Sequence, residues 1–478
     1  MGLGLLMVAL GLWGDRSDAR AIPFPADAPW FNVTRPLTSA SLRGRFVLLD
    51  FFTPGCINCI ETVPSIARIQ HRFARDLVVI GVDSPKFAAS RHRPNVRAFL
   101  RQYAIHHPVV IDRHFTLWHA YHVFAWPTFV LIGPRGHVRH TWIGQGHHAA
   151  IARALIAGIR RARSDLRPGR PPGRSPSHRG VGLQGPEKIA VDRRFVAVAD
   201  TRADRILLFD HHGRLVRTIG SGRPGLRNGS ARQARFDHPQ GLAFAGPSLY
   251  VADTMNNAIR CIDLATGQVT TIEAPPLNAP WALQRAGPWL YIAMAGDHQI
   301  WRMRLPHGPP RPWAGVGAEG LRNGPLSRAF FAQPMGLAYA HGVLYVADAE
   351  SSSVRAIVSG TVRTLIGRGL FHFGHRNGPA DHALLQHDQG LAILSGNLYI
   401  ADTFNDRIER LDLGTHEVTT VMGTGRTGRR LGQARAAELD EPAGLAVLGA
   451  RTLLIADTGN NRILALDLET GVVGLWAR

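Results

Sequence analysis

Between Phe24 and Arg161 the apolar residues fall into two alternating kinds of run. Phe46-Val47-Leu48-Leu49-Asp50-Phe51-Phe52 is apolar apart from one aspartate and is bounded by Gly44 and Pro54, the pattern of a strand buried on both faces. From Cys56 to Arg72 the positions Ile60, Val63, Ile66, Ala67 and Ile69, with Phe73 beyond, recur at helical spacing. Leu77 to Val82 predicts a second buried strand, Arg93 to Tyr103 a short helix, and Pro108 to Ile111 and Thr128 to Ile132 two more strands. His137 to Trp142 folds back through Pro134-Arg135-Gly136 as a hairpin, and Ala149 to Arg161 closes the unit as a helix. Strands alternating with helices predict an α/β layer with parallel pairs.

The pattern stops after that. Pro168, Pro171, Pro172 and Pro176 stand among glycines and arginines with little that is apolar, which reads as a flexible, positively charged tether over 163–180.

Beyond it the chain repeats. Leu249-Tyr250-Val251-Ala252-Asp253-Thr254-Met255-Asn256-Asn257 returns as Leu398-Tyr399-Ile400-Ala401-Asp402-Thr403-Phe404-Asn405-Asp406 and as Leu454-Ile455-Ala456-Asp457-Thr458-Gly459-Asn460-Asn461. Weaker copies end at Asp200 and Asp348, and a degenerate one carries Met294 in place of the aspartate. The full copies open on a Pro-x-Gly-Leu-Ala phrase, as at Pro239, Pro334 and Pro442. Six units of about 40–55 residues, each of several short strands, predict the blades of a propeller, because one blade cannot cover its own apolar faces and a ring of them can. Arg227-Asn228-Gly229, Arg322-Asn323-Gly324 and Arg376-Asn377-Gly378 recur between units. Asn-Gly is a turn signal, so these inserts are expected as loops on one rim. The repeated aspartates Asp200, Asp253, Asp348, Asp402 and Asp457 read as turn caps that hold each unit together, not as catalytic groups.

Composition changes this picture little. The 478 residues suit several domains, and 51 glycines and 31 prolines suit many turns. The net charge of +20 comes from scattered arginines, with lysine only at Lys86 and Lys188, so no specific nucleic-acid partner is expected. The apolar stretch Met1–Gly14, followed by Ala19-Arg20-Ala21, resembles an export signal without its positive start. Residues 1–23 are therefore set apart, and a periplasmic or membrane-anchored location, with membrane attachment through this segment, is favoured over a cytoplasmic one.

Three cysteines exclude a disulfide-stapled secreted domain. Cys261 stands alone and reads as a bland thiol; a zinc site would need a second ligand pair. His147-His148 reads as loop composition, and neither metal nor cofactor is expected. Cys56-Ile57-Asn58-Cys59 is different. Cys56 follows a buried strand and a Pro54-Gly55 turn, which places it at a helix N-terminus, where free N–H groups and the helix dipole favour a thiolate. Cys59, one turn later, lies on the same face and can close a disulfide, so Cys56 reads as nucleophile and Cys59 as resolving thiol. Glu61 is a candidate proton acceptor for Cys59, with a surface position as the other reading.

From about Gly185 onward the units resemble NHL repeats. Val47 to Phe52, Cys56 to Cys59, Pro64 and Trp126-Pro127-Thr128 resemble TlpA/ResA-like thioredoxin-fold proteins. Gly55 departs from the aromatic residue or third cysteine that such relatives often place there. Together with Gly81-Val82-Asp83-Ser84-Pro85-Lys86-Phe87, the chain resembles the thioredoxin-like NHL-repeat proteins. The resemblance implies an α/β thioredoxin-like domain over 24–162 followed by an all-β six-bladed NHL β-propeller over 181–478. It also implies a cis Pro127 beside the cysteine pair and a kink at Pro64. Two functions follow. One is a thiol–disulfide oxidoreductase with Cys56, Cys59 and Pro127 at its site, acting on a protein thiol or disulfide client that the propeller recruits. The other is a protein-binding scaffold, with a partner on the propeller's loop rim and a structural or redox-sensing first domain.

Overall fold

A computed structural model describes residues 20–169 and 182–477. The apolar run read as an export signal and most of the tether lie outside them. Among the described residues no helix is long and apolar enough to cross a membrane. Contacts divide the chain into two units, Met1–Lys86 with Phe99–Ser177, and Phe87–Ala98 with His178–Arg478.

The first unit is built on a six-stranded sheet of β1 (Trp30–Phe31), β2 (Phe46–Phe52), β3 (Leu77–Asp83), β4 (Val109–Ile111), β5 (Thr128–Ile132) and β6 (Val138–Ile143), in the order β1-β4-β3-β2-β5-β6. β2, β3 and β4 run parallel and the other pairs antiparallel. The helices are α1 (Ser39–Leu42), α2 (Ile57–Arg72), α3 (Arg93–Gln102), which runs across the division between the units, α4 (Thr116–Ala120) and α5 (His148–Arg161). Every residue of β2 is buried, as its unbroken apolar run requires. Strand alternation sorts its side chains. Phe46 and Leu48 pack with Ile66 and Ile69 of α2 and with Ile151 and Leu155 of α5. Val47, Leu49 and Phe51 pack on the other face with Leu117 and Trp118 of α4. The α/β reading thus holds, with β1, α1 and α4 too short for periodicity to reveal.

The second unit contains a six-bladed β-propeller. Its blades cover 186–219, 239–271, 280–314, 334–366, 390–422 and 442–477, and the antiparallel strands of each blade are consecutive in the chain. Ring closure therefore rests on bonds between blades. After each blade's second strand one residue adopts left-handed backbone, with φ between 48° and 54° at Asp204, Asn257, His298, Ser352, Asp406 and Asn461. The side chain of each accepts a hydrogen bond from the backbone N–H that opens the next blade. Asp204 takes His238, Asn257 takes Ala279 at 2.8 Å, and Asn461 closes the circle by taking Gly185 at 2.8 Å. Asn and Asp tolerate this backbone and carry the acceptor, which explains the repeated Asn/Asp turn. A second series runs from threonine hydroxyls to the proline carbonyl of the next blade, ending with Thr458 Oγ1 on Pro186 O at 2.7 Å.

The repeated aspartates are the internal caps they were read to be. Asp253, fully buried, accepts from the Asp237 amide (2.7 Å), Asn256 Nδ2 (2.9 Å) and Arg260 Nη1 (2.6 Å). Asp348 and Asp457 make the corresponding bonds with Arg355 and Arg462. In blade five Glu409 stands where the second and fourth blades have Arg260 and Arg355, and Asp402 is capped by Asn405 and the Gln386 amide alone.

One expectation is corrected. The Arg-Asn-Gly inserts do not stand as free rim loops. Gly324–Pro325 and Gly378–Pro379 add a fifth strand to the outer edges of blades four and five, as Gly432–Gln433 does in blade six, and Gly229 bridges to Val269 of blade two. Pairing satisfies an edge that would otherwise present a row of open N–H and C=O groups. The buried arginines pin the inserts from beneath: Arg260 Nη2 donates to Arg227 O and Asn228 Oδ1, and Arg355 Nη2 to Arg322 O and Asn323 Oδ1. The same unit takes in Phe87, whose ring packs edge-on against Phe373, His387 and Phe404.

Candidate redox site

The site lies where β2 leads through Thr53-Pro54-Gly55 into α2. Gly55 turns the chain with φ 91°, a conformation that glycine adopts without penalty. Cys56 is the N-cap of α2, and its Sγ accepts from the Cys59 amide at 3.2 Å. A sulfur at a helix N-cap meets the open amides and positive dipole end that favour a thiolate over a thiol. Cys56 and Cys59 are joined as a disulfide with Cα atoms 5.3 Å apart, and both residues are buried, 8% and 3% exposed. Pro64 lies within α2.

The Trp126–Pro127 bond is cis. Thr128 pairs with Phe51, so the next step of the register sets Pro127 beside Phe52, at the end of β2 that leads to the cysteines. Thr53 is tied from the other side: its Oγ1 accepts from the Lys86 amide (3.1 Å), while the Phe52 carbonyl accepts from the Ser84 amide (2.9 Å).

Glu61 is half-buried on α2. Two residues along a helix is a rotation of about 200°, which turns Glu61 away from the side of Cys59. One carboxyl group that shares a face with α2 is Asp50, which alternates with Phe46 and Leu48 beneath that helix. It is 6% exposed, its Oδ1 lacks a hydrogen-bond partner, and burial pushes its pKa up to about 7. The sequence carried a signal for it: Asp50 is the one polar residue in an otherwise apolar strand. On the same face, Asp83 is fully buried beside Phe52 and is held well above the usual carboxylate range, first by burial and then by Asp112.

The remaining expectations fall elsewhere. Cys261 is buried in blade two opposite Tyr250. His147 and His148 are at the start of α5, where the His147 ring meets the Ile143 carbonyl at 3.0 Å. The His/Asp grouping with metal-ligand spacing among the described residues is instead Asp204, Asp237 and His238, whose members already bond one another between the first two blades.

Comparison with known proteins fits this arrangement. Residues 26–141 match the AhpC/TSA family. The chain is 35% identical to NHL repeat-containing protein 2 of Bos taurus, over 97% of this chain and 72% of that protein. It is 34% identical to Protein SUPPRESSOR OF QUENCHING 1, chloroplastic, of Arabidopsis thaliana, over 95% of this chain and 47% of that one. Over 24% of this chain and 63% of the relative, it is 29% identical to the thiol-disulfide oxidoreductase ResA of Bacillus subtilis.

Proposed function

This chain belongs to the NHL repeat-containing protein 2 family, and we propose that within it the chain acts as a thiol–disulfide oxidoreductase whose propeller recruits a protein client. The observation that carries the reading is Cys56 at the N-cap of α2, bonded to Cys59 one turn on. In the reducing direction, the Cys56 thiolate attacks one sulfur of a client disulfide, forming a mixed disulfide and expelling the client's other sulfur as thiolate. Cys59, deprotonated, then attacks Cys56 Sγ; the second client sulfur leaves as thiolate and takes a proton, and the 56–59 disulfide remains. Both client sulfurs are reduced and both protein sulfurs oxidised. Asp50 is assigned as acceptor of the Cys59 proton, since a buried carboxyl with a pKa of about 7 is matched to that task. Pro127, which the register sets at the end of β2 that leads to the cysteines, is assigned as the place where an extended client segment pairs with backbone.

Insulin reduction driven by dithiothreitol tests this. Turnover by the wild type that is lost in both Cys56→Ser and Cys59→Ser supports the oxidoreductase. The near-complete burial of both cysteine residues favours the second reading, a protein-binding scaffold with a structural disulfide. Turnover independent of the cysteines, with a potential below about −300 mV, would establish that reading instead.

A further inference from the structure

In four of the six blades the outer strand carries a valine that faces an insert. Val269, Val362, Val418 and Val473 are opposite Gly229, Gly324, Gly378 and Gly432, and all four valines are buried. On its other side each faces the third strand of its blade, at Ile262, Ile357, Leu411 and Leu466. In blade one the residue in this place is Leu215, opposite Phe209. Among the described residues no strand pairs with its outer side, and it is 55% exposed, with Val216 beside it at 53%. Blade three also lacks an insert, but Pro312 in its outer strand has no N–H to offer. The outer strand of blade one, Leu215–Ile219, contains no proline. A bulge falls at Val216, yet blades four, five and six have a bulge in the same strand and hold their inserts.

The open backbone matches what the inserts use. Val269 N–H donates to Gly229 O at 2.9 Å, and Val269 O accepts from Gly229 N–H at 3.1 Å. Blades one and two enter this strand alike: Asp210 N–H donates to Arg214 O, and Asp263 N–H to Gln268 O, both at 2.9 Å. The N–H and C=O of Leu215 therefore point outward as those of Val269 do. Asn228, the residue before Gly229, accepts from Thr271 Oγ1 at 2.8 Å. The counterpart of Thr271 is Thr218, since one faces Arg260 and the other Leu207 on the third strand. Beside Thr218 lies a surface cavity of about 570 Å³ with Arg217, Arg232, Ser221 and Thr266 in its wall and no acidic side chain.

We propose that the outer edge of blade one takes an extended segment of a partner protein as a fifth strand, with an apolar residue opposite Leu215 and acidic residues toward Arg217 and Arg232. In such strand addition the main-chain bonds supply affinity and the flanking side chains supply selectivity. Four blades of the same chain show the geometry already satisfied from within. The proposal rests on the recruiting role proposed for the propeller and needs none of the thiol chemistry. Absent edge binding would overturn it, whereas the cysteine variants alone decide the oxidoreductase.

The probe is the fluorescein-labelled peptide Gly-Leu-Glu-Asp-Val-Ser, patterned on the insert before blade two with acids for Arg-Asn and valine for glycine. Anisotropy with the full chain should give a Kd on the order of 100 μM. Bound peptide should slow hydrogen exchange of the Leu215 amide. Leu215→Asp places a carboxylate at an exposed position and should weaken binding at least about tenfold, with the urea midpoint unmoved. Arg232→Ser should weaken it about threefold. No anisotropy change with the wild type, equal binding of Gly-Leu-Lys-Lys-Val-Ser, or undiminished affinity in Leu215→Asp would overturn the proposal. So would a Leu215 amide that exchanges as slowly in the free chain as that of Val362, because the edge would then be paired already.

Discussion

In the thioredoxin-like unit each residue to which the proposed function assigns a chemical task occurs once; in the propeller each residue that holds the fold recurs in several blades. Cys56, Cys59, Asp50 and Pro127 have no copies, and the sheet around them is ordinary apolar packing. Asp253, by contrast, has structural counterparts at Asp348 and Asp457, each with its own buried arginine. Repetition therefore separates scaffold from chemistry. A residue present in most blades caps a turn, and a residue that breaks the repeat, such as Leu215 or Glu409, needs a separate account.

The largest expected effect sets the two units against each other. Cys56→Ser should lower thiol-dependent turnover at least about a hundredfold, because no other thiolate stands at the helix N-cap, while circular dichroism of the chain stays unchanged. Asp253→Ala should do the opposite. It leaves the fully buried Arg260 guanidinium without its carboxylate, a loss of about 3–5 kcal/mol in a urea titration. Asp402→Ala should cost less, about 1–2 kcal/mol, because Glu409 replaces the arginine there and only hydrogen bonds are lost. Equal losses at 253 and 402 would show that the arginine contributes nothing.

Most of this division was legible before any coordinates. The buried run at Phe46–Phe52, the Cys56–Cys59 spacing and the recurring aspartates each rest on local pattern, and local pattern survives into the fold. What was missed depends on partners distant in the chain. The Asn-Gly inserts look like turns by themselves and become strands because an outer blade edge lies open beside them. Phe87 reads as the end of a strand-and-loop phrase, yet its ring contacts lie about three hundred residues further on. Asp50 was visible as a polar interruption, but only strand alternation against α2 turns that interruption into a candidate proton acceptor in place of Glu61.

That substitution of roles sharpens the comparison within the first unit. Burial raises the folded-state pKa of Asp50 from an ordinary carboxylate value to about 7. Between about pH 4 and pH 7 the folded chain thus holds a proton that the unfolded chain has lost, and stability falls as pH rises through this window. Asp50→Asn removes that loss. The variant should match the wild type near pH 4 and exceed it at pH 8 by at most about 4 kcal/mol in denaturant titrations. Its Cys59-dependent resolution of the mixed disulfide should slow at least about tenfold. Glu61→Gln should leave both the stability profile and the resolution rate within about twofold; a larger effect there than at Asp50 would return the proton to Glu61.

The smallest effect concerns the propeller edge. Asn228 Oδ1 accepts from Arg260 Nη2 at 2.9 Å and from Thr271 Oγ1 at 2.8 Å, fastening the insert before blade two to the blade it borders. In Asn228→Ala the guanidinium keeps Asp253, Arg227 O and Arg235 O, so no buried charge is stranded. The loss should be about 1 kcal/mol, read as a shift of the urea midpoint at unchanged slope. Thiol turnover should be unaffected. A loss as large as that of Asp253→Ala would mean that the edge insert, and not the aspartate–arginine pair, is what holds the blade together.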